Sequence, residues 1–332
     1  MAPPAGEPPL VCVTGAGGFI GSSLVKELLQ RGYRVRGTAR NPEDRKNAHL
    51  HALDDGAKER LSVCRADVLD YKSLVAAFRL CEGVFHVACP VSENDPELMA
   101  AAIEGTKNGI NAAADMGVQR VVYTSSYGAV HMNPNRSPDQ VVDESCWSDL
   151  EFCLKTKNYY FVAKTVAEKT AMEEASKRGI HLVVVVPAFT LGETLQPALH
   201  LAMYMLIVSY MKGTRKACPN AVSGFVDVQD VARAHVLVFK TPHYYRRRYL
   251  CIGEVVHRLE FIQIMREVFP QYPITAKCKD ENAPKVKPYK FCTKRPQALG
   301  MKFTPLKESL HKTVICLQEQ GHIPKLPHKS AL

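Results

Sequence analysis

The segment that decides the fold is residues 10–30, LVCVTGAGGFIGSSLVKELLQ, in which an apolar run leads through glycines into a helical stretch. Leu10 to Thr14 has the length of a buried strand, and Phe19 to Gln30 has apolar residues at helical spacing. Glycines between a strand and a helix allow a tight turn, close approach of a pyrophosphate, and close packing of the helix. The N–H groups of the first helical turn can then bind phosphate. The segment predicts a dinucleotide-binding loop formed by Gly15, Gly18, Phe19, Ile20 and Gly21.

The pattern of this segment is repeated along the chain. Further apolar runs of strand length lie near Leu61, Val84, Val121 and Val183, with amphipathic stretches between them. Strands that alternate with helices predict an α/β fold, a doubly wound parallel sheet of the Rossmann type. We predict that residues 1–189, joined again by 226–252, form the NADP-binding domain. Residues 190–225 and 253–332 are predicted to form a smaller, discontinuous C-terminal lobe that binds substrate.

The chain has 332 residues and a formal net charge of +10, which suits an anionic ligand such as a dinucleotide or coenzyme A. The basic residues are scattered along the sequence, and the cluster Arg246, Arg247 and Arg248 is interpreted as a solvated turn. The charge therefore gives no indication of nucleic-acid binding.

The eleven cysteines occur singly, without a Cys-x-x-Cys pair or a histidine at zinc-ligand spacing. We therefore expect reduced thiols and no metal site. Residues 1–9 lack the basic start and apolar run of a signal peptide, and the most apolar helical stretch, Leu199 to Met211, is too short to cross a bilayer. These features predict a soluble, cytoplasmic protein without membrane partners.

The end of the second predicted strand indicates which dinucleotide is bound. NAD-binding sites place an acidic residue there for the ribose 2′-hydroxyl, but this strand ends in Arg40. A guanidinium favours the 2′-phosphate of NADP, and the nearby Lys46 could share that role. Asp67 follows the third strand, where it could either hydrogen-bond the adenine amino group or cap a helix.

Among the thirteen tyrosines, Tyr160 alone has a lysine four residues later, Lys164, within the predicted helix Asn158 to Lys177. Residues four apart share a helix face, so the ammonium lies near the phenol and favours its ionised form. Tyr160 is then suited to protonate a carbonyl oxygen that receives a hydride. A surface Tyr/Lys pair is the alternative interpretation.

Two serines follow the apolar strand Arg120 to Thr124, and either could face the site. We assign the role of holding the substrate oxygen to Ser126, because the family pattern described next aligns with the second serine. Ser125 is the competing candidate, or it could simply cap the end of the strand.

Several stretches resemble the cinnamoyl-CoA reductases of plant lignin synthesis and, more distantly, dihydroflavonol reductases. They are residues 11–41, 121–136, 142–153, 278–281 and 287–291, so that the resemblance covers almost the whole chain. It implies a two-lobed reductase that uses NADPH to convert a hydroxycinnamoyl-CoA thioester to its aldehyde, as a monomer or weak homodimer. Other candidate cofactor contacts are Val68, Val87, Ala88, Thr124 and Pro187. Candidate substrate contacts are Cys89, Pro90, Val91, His131, Phe189, Tyr204, Met205 and Arg258, of which His131 could instead be an ordinary surface histidine.

The chain departs from this family in three places. The family motif NWYCYGK is replaced by residues 158–164, NYYFVAK, and Val186 stands where an asparagine usually precedes the proline. The family also carries a histidine, and a lysine three residues later, on a helix thought to meet coenzyme A. The aligned stretch, Tyr204 to Val208, has neither and lies near a one-residue insertion, although Arg258 after His257 is kept. These changes predict weaker binding of coenzyme A.

Other functions share parts of these motifs. The main alternative is an NADPH-dependent reductase of aromatic aldehydes or ketones, similar to dihydroflavonol reductase, with weak activity on coenzyme A thioesters. A nucleotide-sugar epimerase or dehydratase would need a nucleotide diphosphate pocket, for which the sequence has no recognisable counterpart. A non-enzymatic NADPH-sensing protein would not need Ser126, Tyr160 and Lys164 together.

Overall fold

Seven parallel strands form the main sheet of the computed structural model, which describes residues 7–53, 57–89, 96–137, 139–241, 247–279 and 283–327. Their order across the sheet is β3-β2-β1-β4-β5-β6-β9. A second, three-stranded sheet has the order β10-β8-β7. The strands are β1 (Leu10–Thr14), β2 (Arg34–Ala39), β3 (Leu61–Arg65), β4 (Gly83–His86), β5 (Arg120–Thr124), β6 (His181–Pro187), β7 (Phe189–Leu191), β8 (Val222–Asp227), β9 (Arg247–Cys251) and β10 (Glu254–His257).

Helices lie between many of the strands and beyond the last one. They are α1 (Phe19–Gln30), α2 (Ala57–Arg60), α3 (Tyr71–Phe78), α4 (Pro96–Asp115), α5 (Leu150–Lys155), α6 (Tyr159–Arg178), α7 (Leu201–Met203), α8 (Ser209–Met211), α9 (Val228–Lys240), α10 (Arg258–Val268), α11 (Lys294–Ala298) and α12 (Leu306–Glu319). Short 3₁₀ helices cover Arg45–Ala52 and Tyr127–Ala129, and a π-helical turn, Tyr204–Val208, joins α7 to α8.

The main sheet is covered on both faces, because α1 packs with α9 and α4 packs with α6. Strand β6 shows the result in its sequence, which is apolar nearly throughout and almost entirely buried. The predicted doubly wound parallel sheet is therefore confirmed.

A second hydrophobic core lies outside the main sheet. It is formed by residues between Leu191 and Phe225 and between Val256 and Ile323, among them Phe225 and Phe261, whose rings stack with centroids 4.5 Å apart. Phe19, at the start of α1, packs against this cluster from the cofactor side. The second hydrophobic core thus adjoins the glycine turn. A ligand bound at that turn would lie near both the main sheet and this second core.

The order of the strands reverses between β1 and β4, which both pair in parallel fashion. In doubly wound sheets, ligands bind in the crevice at the carboxyl ends of the strands beside such a reversal. Thr14, His86 and Thr124 lie at the ends of β1, β4 and β5. This edge therefore carries the site.

Candidate active site

The glycine turn between β1 and α1 has the geometry that its residues predict. Gly15 has a positive φ of 66°, and its carbonyl accepts a hydrogen bond from the N–H of Gly18 at 3.0 Å. A side chain at Gly21 would lie 2.2 Å from the Gly15 carbonyl oxygen, so only glycine allows the helix to approach this closely. Helix α1 begins at Phe19 and includes Ile20, and no side chain caps it, so its first N–H groups suit a phosphate.

Thr14 ties the neighbouring loop to this turn. Its hydroxyl oxygen accepts hydrogen bonds of 3.0 Å from the N–H groups of both Val87 and Ala88. Ala88 lies directly against Gly15, where an added side chain would be 3.1 Å from the Ala88 Cα. The two predicted contacts that follow β4 are thus held at the edge of the cofactor turn.

The two basic candidates for the 2′-phosphate lie close in sequence but differ in their surroundings. Arg40 is exposed directly after β2, and Lys46 is exposed in the 3₁₀ helix that follows. Asn47 of that helix packs against Gly17, where an added Cβ would meet its side-chain oxygen. The helix therefore lies beside the glycine turn, and the Lys46 ammonium forms an ion pair with Asp44 at 3.0 Å.

The helix-cap interpretation of Asp67 is wrong, because Asp70 caps α3 by accepting a hydrogen bond from Ser73. Asp67 instead accepts one from the N–H of Leu69 at 3.0 Å. A carboxylate has further lone pairs, which leaves Asp67 able to bind an adenine amino group. Its neighbour Val68 packs against Gly105 of α4.

Lys164 lies one turn after Tyr160 on α6 and is 4% exposed. Its ammonium donates a hydrogen bond to the carbonyl oxygen of Thr124, at 3.3 Å, and another to the thiol of Cys89. Burial alone would lower the pKa of Lys164, but the Cys89 thiol and the phenols of Tyr123 and Tyr160 raise it overall. The side chain therefore remains a cation beside the Tyr160 phenol.

The two serines after β5 have different partners. The hydroxyl of Ser125 donates to Glu168 Oε2 at 2.5 Å, which occupies its only proton. The Ser126 oxygen accepts a 3.1 Å hydrogen bond from the N–H of Gly128, and its proton remains available for a substrate oxygen. These contacts favour Ser126 over Ser125 as the catalytic hydroxyl.

An aromatic cluster stands beside Tyr160. The rings of Tyr127 and His131 stack at 4.4 Å, and Phe161 and Tyr289 approach His131 at 5.2 and 6.1 Å. The interpretation of His131 as a surface residue is wrong, since it is 6% exposed and its Nδ1 donates to the Tyr127 carbonyl at 2.9 Å. Burial lowers its pKa to about 4, so the ring is neutral near pH 7.

Arg258 is the first residue of α10, a helix that packs into the second hydrophobic core. Burial lowers the pKa of its guanidinium, which interacts electrostatically with the phenols of Tyr127 and Tyr210. Within the described parts of the chain, its buried Nε has no hydrogen-bond partner. The Tyr127 hydroxyl is hydrogen-bonded with Ser223 of β8. Arg258 therefore lies near Tyr127 of the aromatic cluster and keeps a buried donor without a partner among the described residues.

The remaining predicted substrate contacts are spread over several elements. Cys89 is half-buried beside Lys164, and Phe189 packs on Phe225 at 6.0 Å. Tyr204 and Met205 are each 40% exposed on the π-helical turn. Pro187 is buried at the end of β6, whereas Pro90 and Val91 lie outside the described residues.

Sequence reasoning missed several residues around the site. Tyr127, Phe161 and Tyr289 form most of the aromatic cluster, and only their proximity to the motifs could have signalled them. The interpretation of Arg248 as part of a solvated turn is wrong, because it is 4% exposed and ion-paired with Glu168. Its position at the start of an apolar run, β9, was the available signal.

Comparison with known proteins agrees with this geometry. The sequence matches the NAD dependent epimerase/dehydratase family over residues 11–249. It is 63% identical to cinnamoyl-CoA reductase 1 of Oryza sativa subsp. japonica, over 96% of this chain and 93% of that protein. The chain belongs to the cinnamoyl-CoA reductase family. It is accordingly an NAD(P)-dependent oxidoreductase that acts on a small molecule.

Solved structures place this reductase among enzymes of similar architecture. Vestitone reductase from alfalfa superposes with a TM-score of 0.79 at 30% identity, covering 95% of this chain and 99% of that one. The yeast methylglyoxal/isovaleraldehyde reductase Gre2, solved with NADPH, gives 0.78 at 25% identity, covering 95% and 100%. The fold therefore serves reductases of different carbonyl compounds.

Two further observations bear on the chemistry. In the described ranges, no three His, Cys, Asp or Glu side chains are grouped to hold a metal ion, and none of the eleven cysteines forms a disulfide. Within the same ranges no helix is long and apolar enough to cross a membrane.

Proposed function

We propose that the protein uses NADPH to reduce the carbonyl of a hydroxycinnamoyl-CoA thioester, which yields the corresponding aldehyde and free coenzyme A. The proposal rests chiefly on the contact of the buried Lys164 ammonium with the Thr124 carbonyl, beside Tyr160 and Ser126. These groups lie at the carboxyl edge of the sheet, as the glycine turn does. The 63% identity to the rice enzyme supports the thioester as substrate.

Ser126, Tyr160 and Lys164 have different roles at the carbonyl oxygen. Ser126 donates a hydrogen bond to that oxygen, and Tyr160 supplies the proton as negative charge develops on it. Lys164 stabilises the resulting phenolate because its cation is buried and fixed by Thr124. NADPH, when bound, supplies the hydride to the carbonyl carbon. The C–S bond of the hemithioacetal then breaks, and the thiol leaves with the hydroxyl proton.

We infer that NADPH is preferred over NADH because Arg40 occupies the position of the usual acidic residue. The 3₁₀ helix beside the glycine turn supports a contribution from Lys46. The absence of disulfides among the eleven cysteines that the structure describes suits a reducing compartment, so we infer that the enzyme works in the cytoplasm. We also infer that it acts as a monomer or weak homodimer.

The test is a substrate panel in which NADPH consumption is followed with feruloyl-CoA, coniferaldehyde and a dihydroflavonol. We expect the highest kcat/KM with feruloyl-CoA, with coniferaldehyde identified as the product by chromatography. A wild type that reduces the aldehyde or the dihydroflavonol but leaves the thioester untouched would contradict the proposal.

A second function has its own support. The exposed Tyr204 and Met205 stand where the family carries groups for coenzyme A. The structural neighbours include vestitone reductase and a methylglyoxal/isovaleraldehyde reductase. Under this alternative the enzyme reduces free aromatic aldehydes or ketones and accepts thioesters weakly. The same substrate panel distinguishes the two functions.

A further inference from the structure

A buried ion pair contacts Ser125, the residue before the catalytic serine. Glu168 of α6 is fully buried, and Arg248 of β9 is 4% exposed. The Arg248 Nε donates to Glu168 Oε1 at 2.5 Å, and its Nη2 donates to Oε2 at 3.3 Å. The second oxygen also accepts the Ser125 hydroxyl at 2.5 Å. The carboxylate therefore joins three elements: α6, β9 and the end of β5.

Arg248 is held firmly in turn. Its Nη1 donates to the carbonyl oxygens of Glu144 and Cys146 at 3.0 and 2.6 Å, and its guanidinium carbon lies 3.8 Å from the centre of the Trp147 ring. A buried ion pair contributes little net stability, since desolvation of both charges offsets their attraction. Stability alone is therefore a poor explanation for this pair, and a role in fixing geometry explains it better.

The spacing of the contacts relates the pair to the catalytic groups. Lys164 and Glu168 are four residues apart on α6, so they share one face. Lys164 bonds the carbonyl of Thr124, and Glu168 bonds the hydroxyl of Ser125, the next residue. Ser126 follows at once. Two consecutive polar contacts thus fix the helix that carries Tyr160 against the strand end that carries Ser126.

We propose that Glu168 is a positioning residue, which acts through Ser125 to hold the Ser126 hydroxyl at the correct place relative to Tyr160. Arg248 serves this role by fixing the orientation of the Glu168 carboxylate. The proposal rests on the proposed function only in using Ser126 and Tyr160 as the groups that meet the carbonyl. Displacement of a catalytic group by about 1 Å can slow a reaction by about a hundredfold.

The sharpest test compares two substitutions that remove the same kind of bond. Ser125→Ala removes a buried hydroxyl that donates to a buried carboxylate at this junction. Ser309→Ala removes another such hydroxyl. Ser309 lies on α12, is 2% exposed, and donates to Asp227 at the end of β8 at 2.8 Å. Both variants lose a hydrogen bond from a buried serine to a buried carboxylate, but only Ser125 lies beside Ser126. Ser309 is therefore the matched control.

The measurement is the single-turnover rate constant for NADPH oxidation, with enzyme in excess over whichever carbonyl compound the wild type reduces. At saturating enzyme this rate constant does not depend on the folded fraction, so it reports the placement of the reacting groups. Circular dichroism reports the folded fraction separately. We expect Ser125→Ala to lower the rate constant at least about tenfold while the Kd for NADPH stays within about twofold. Ser309→Ala should leave both near the wild-type values.

Two more variants test whether the hydrogen bond between Ser125 and Glu168 positions Ser126. Ser125→Thr keeps a hydroxyl and should recover most of the rate constant, while Glu168→Gln keeps an acceptor but loses the charge that orients Arg248 and should again lower it. Equal rate constants in Ser125→Ala and Ser309→Ala, or a loss confined to the folded fraction or to NADPH affinity, would overturn the proposal. A wild type inactive on thioesters but active on aldehydes would instead contradict the proposed function and leave this comparison usable.

Discussion

The ammonium of Lys46 lies 3.0 Å from Asp44 Oδ2, while Oδ1 of the same carboxylate accepts the Lys46 backbone N–H at 3.0 Å. These two contacts lower the pKa of Asp44, the backbone hydrogen bond foremost, so the carboxylate stays ionised. Part of the Lys46 charge is therefore offset locally, whereas Arg40 is exposed at the end of β2. Arg40 should consequently contribute more than Lys46 to the recognition of a 2′-phosphate.

Arg40→Asp is therefore expected to weaken NADPH binding by about tenfold to a hundredfold, because a charge-assisted hydrogen bond contributes roughly 1.5–3 kcal/mol. NADH binding should change little, and Lys46→Ala should have a smaller effect on NADPH. Both Kd values are measured by fluorescence titration. Arg34→Asp, at the opposite end of β2, is the control and should leave both affinities unchanged. Equal wild-type affinity for the two cofactors would contradict the prediction.

Substitutions at two neighbouring tyrosines test which residue is the proton donor. Tyr160→Phe removes the phenol that Lys164 accompanies and should lower kcat by about two orders of magnitude, with NADPH affinity largely kept. Tyr159→Phe is the matched control, since Tyr159 is also half-buried on α6 but has Ala163 four residues later. Steady-state kinetics and cofactor titration on both variants decide the assignment. Activity that survives in Tyr160→Phe, or falls equally in both variants, would show it to be wrong.

The features that sequence predicted well depend on short-range spacing. The glycine turn and the Tyr160–Lys164 pair each lie within one or two turns of backbone, where helical and strand periods determine which side chains meet. The ion pair of Glu168 with Arg248 joins residues 80 positions apart, so no local period reports it. The basic neighbours of Arg248 predict a solvated turn, and nothing in their spacing indicates the contact between β9 and α6.

His131 is a second residue whose contacts with distant parts of the chain cannot be predicted from local sequence. Its neighbour in sequence, Tyr127, supplies the ring and the carbonyl that it contacts, but Phe161 and Tyr289 come from distant segments. Burial follows from those distant rings, and a single histidine in a loop does not reveal them. The side chains that surround His131 are therefore less predictable from sequence than the proximity of Tyr160 and Lys164.

Three histidines, His86, His131 and His235, are buried with pKa values lowered to about 4 by desolvation. The unfolded chain binds protons at these sites near the ordinary pKa of 6.5, so it binds more protons than the native state between pH 4 and 6.5. Stability is therefore fully present above about pH 6.5 and is lost as the pH falls. Each histidine could contribute about 3 kcal/mol to this loss.

His131→Phe should accordingly flatten the fall in unfolding free energy between pH 6.5 and 4, because the variant no longer has this group to protonate on unfolding. Urea unfolding followed by circular dichroism at several pH values measures the effect. Replacing the exposed His51 with Phe is the control and should leave the slope as in the wild type. A His131 variant with the wild-type slope would show that this ring does not resist protonation in the folded protein.

The π-helical turn and the residue after it contain the positions that align with the family's two groups for coenzyme A. The family's histidine and lysine align with Met205 and Val208, or with Leu206 and Ser209 if the one-residue insertion shifts the register. Of these four residues only Met205 is exposed, at 40%, and the other three are at most 6% exposed. A lysine at Val208 would place a charge in the second hydrophobic core, at a high cost in stability. Restoring the full pair is therefore not the informative experiment.

Met205→His alone should improve thioester binding, because an imidazole at this exposed position can hydrogen-bond a phosphate or amide of coenzyme A. A single such bond corresponds to a decrease in KM for feruloyl-CoA of up to about tenfold, with little change for coniferaldehyde. Met205→Leu is the control and should match the wild type with both substrates. If the wild type already has a low-micromolar KM for feruloyl-CoA, other groups hold coenzyme A. Arg258, whose guanidinium interacts with the phenols of Tyr127 and Tyr210, is then the first candidate, and Arg258→Ala should raise that KM.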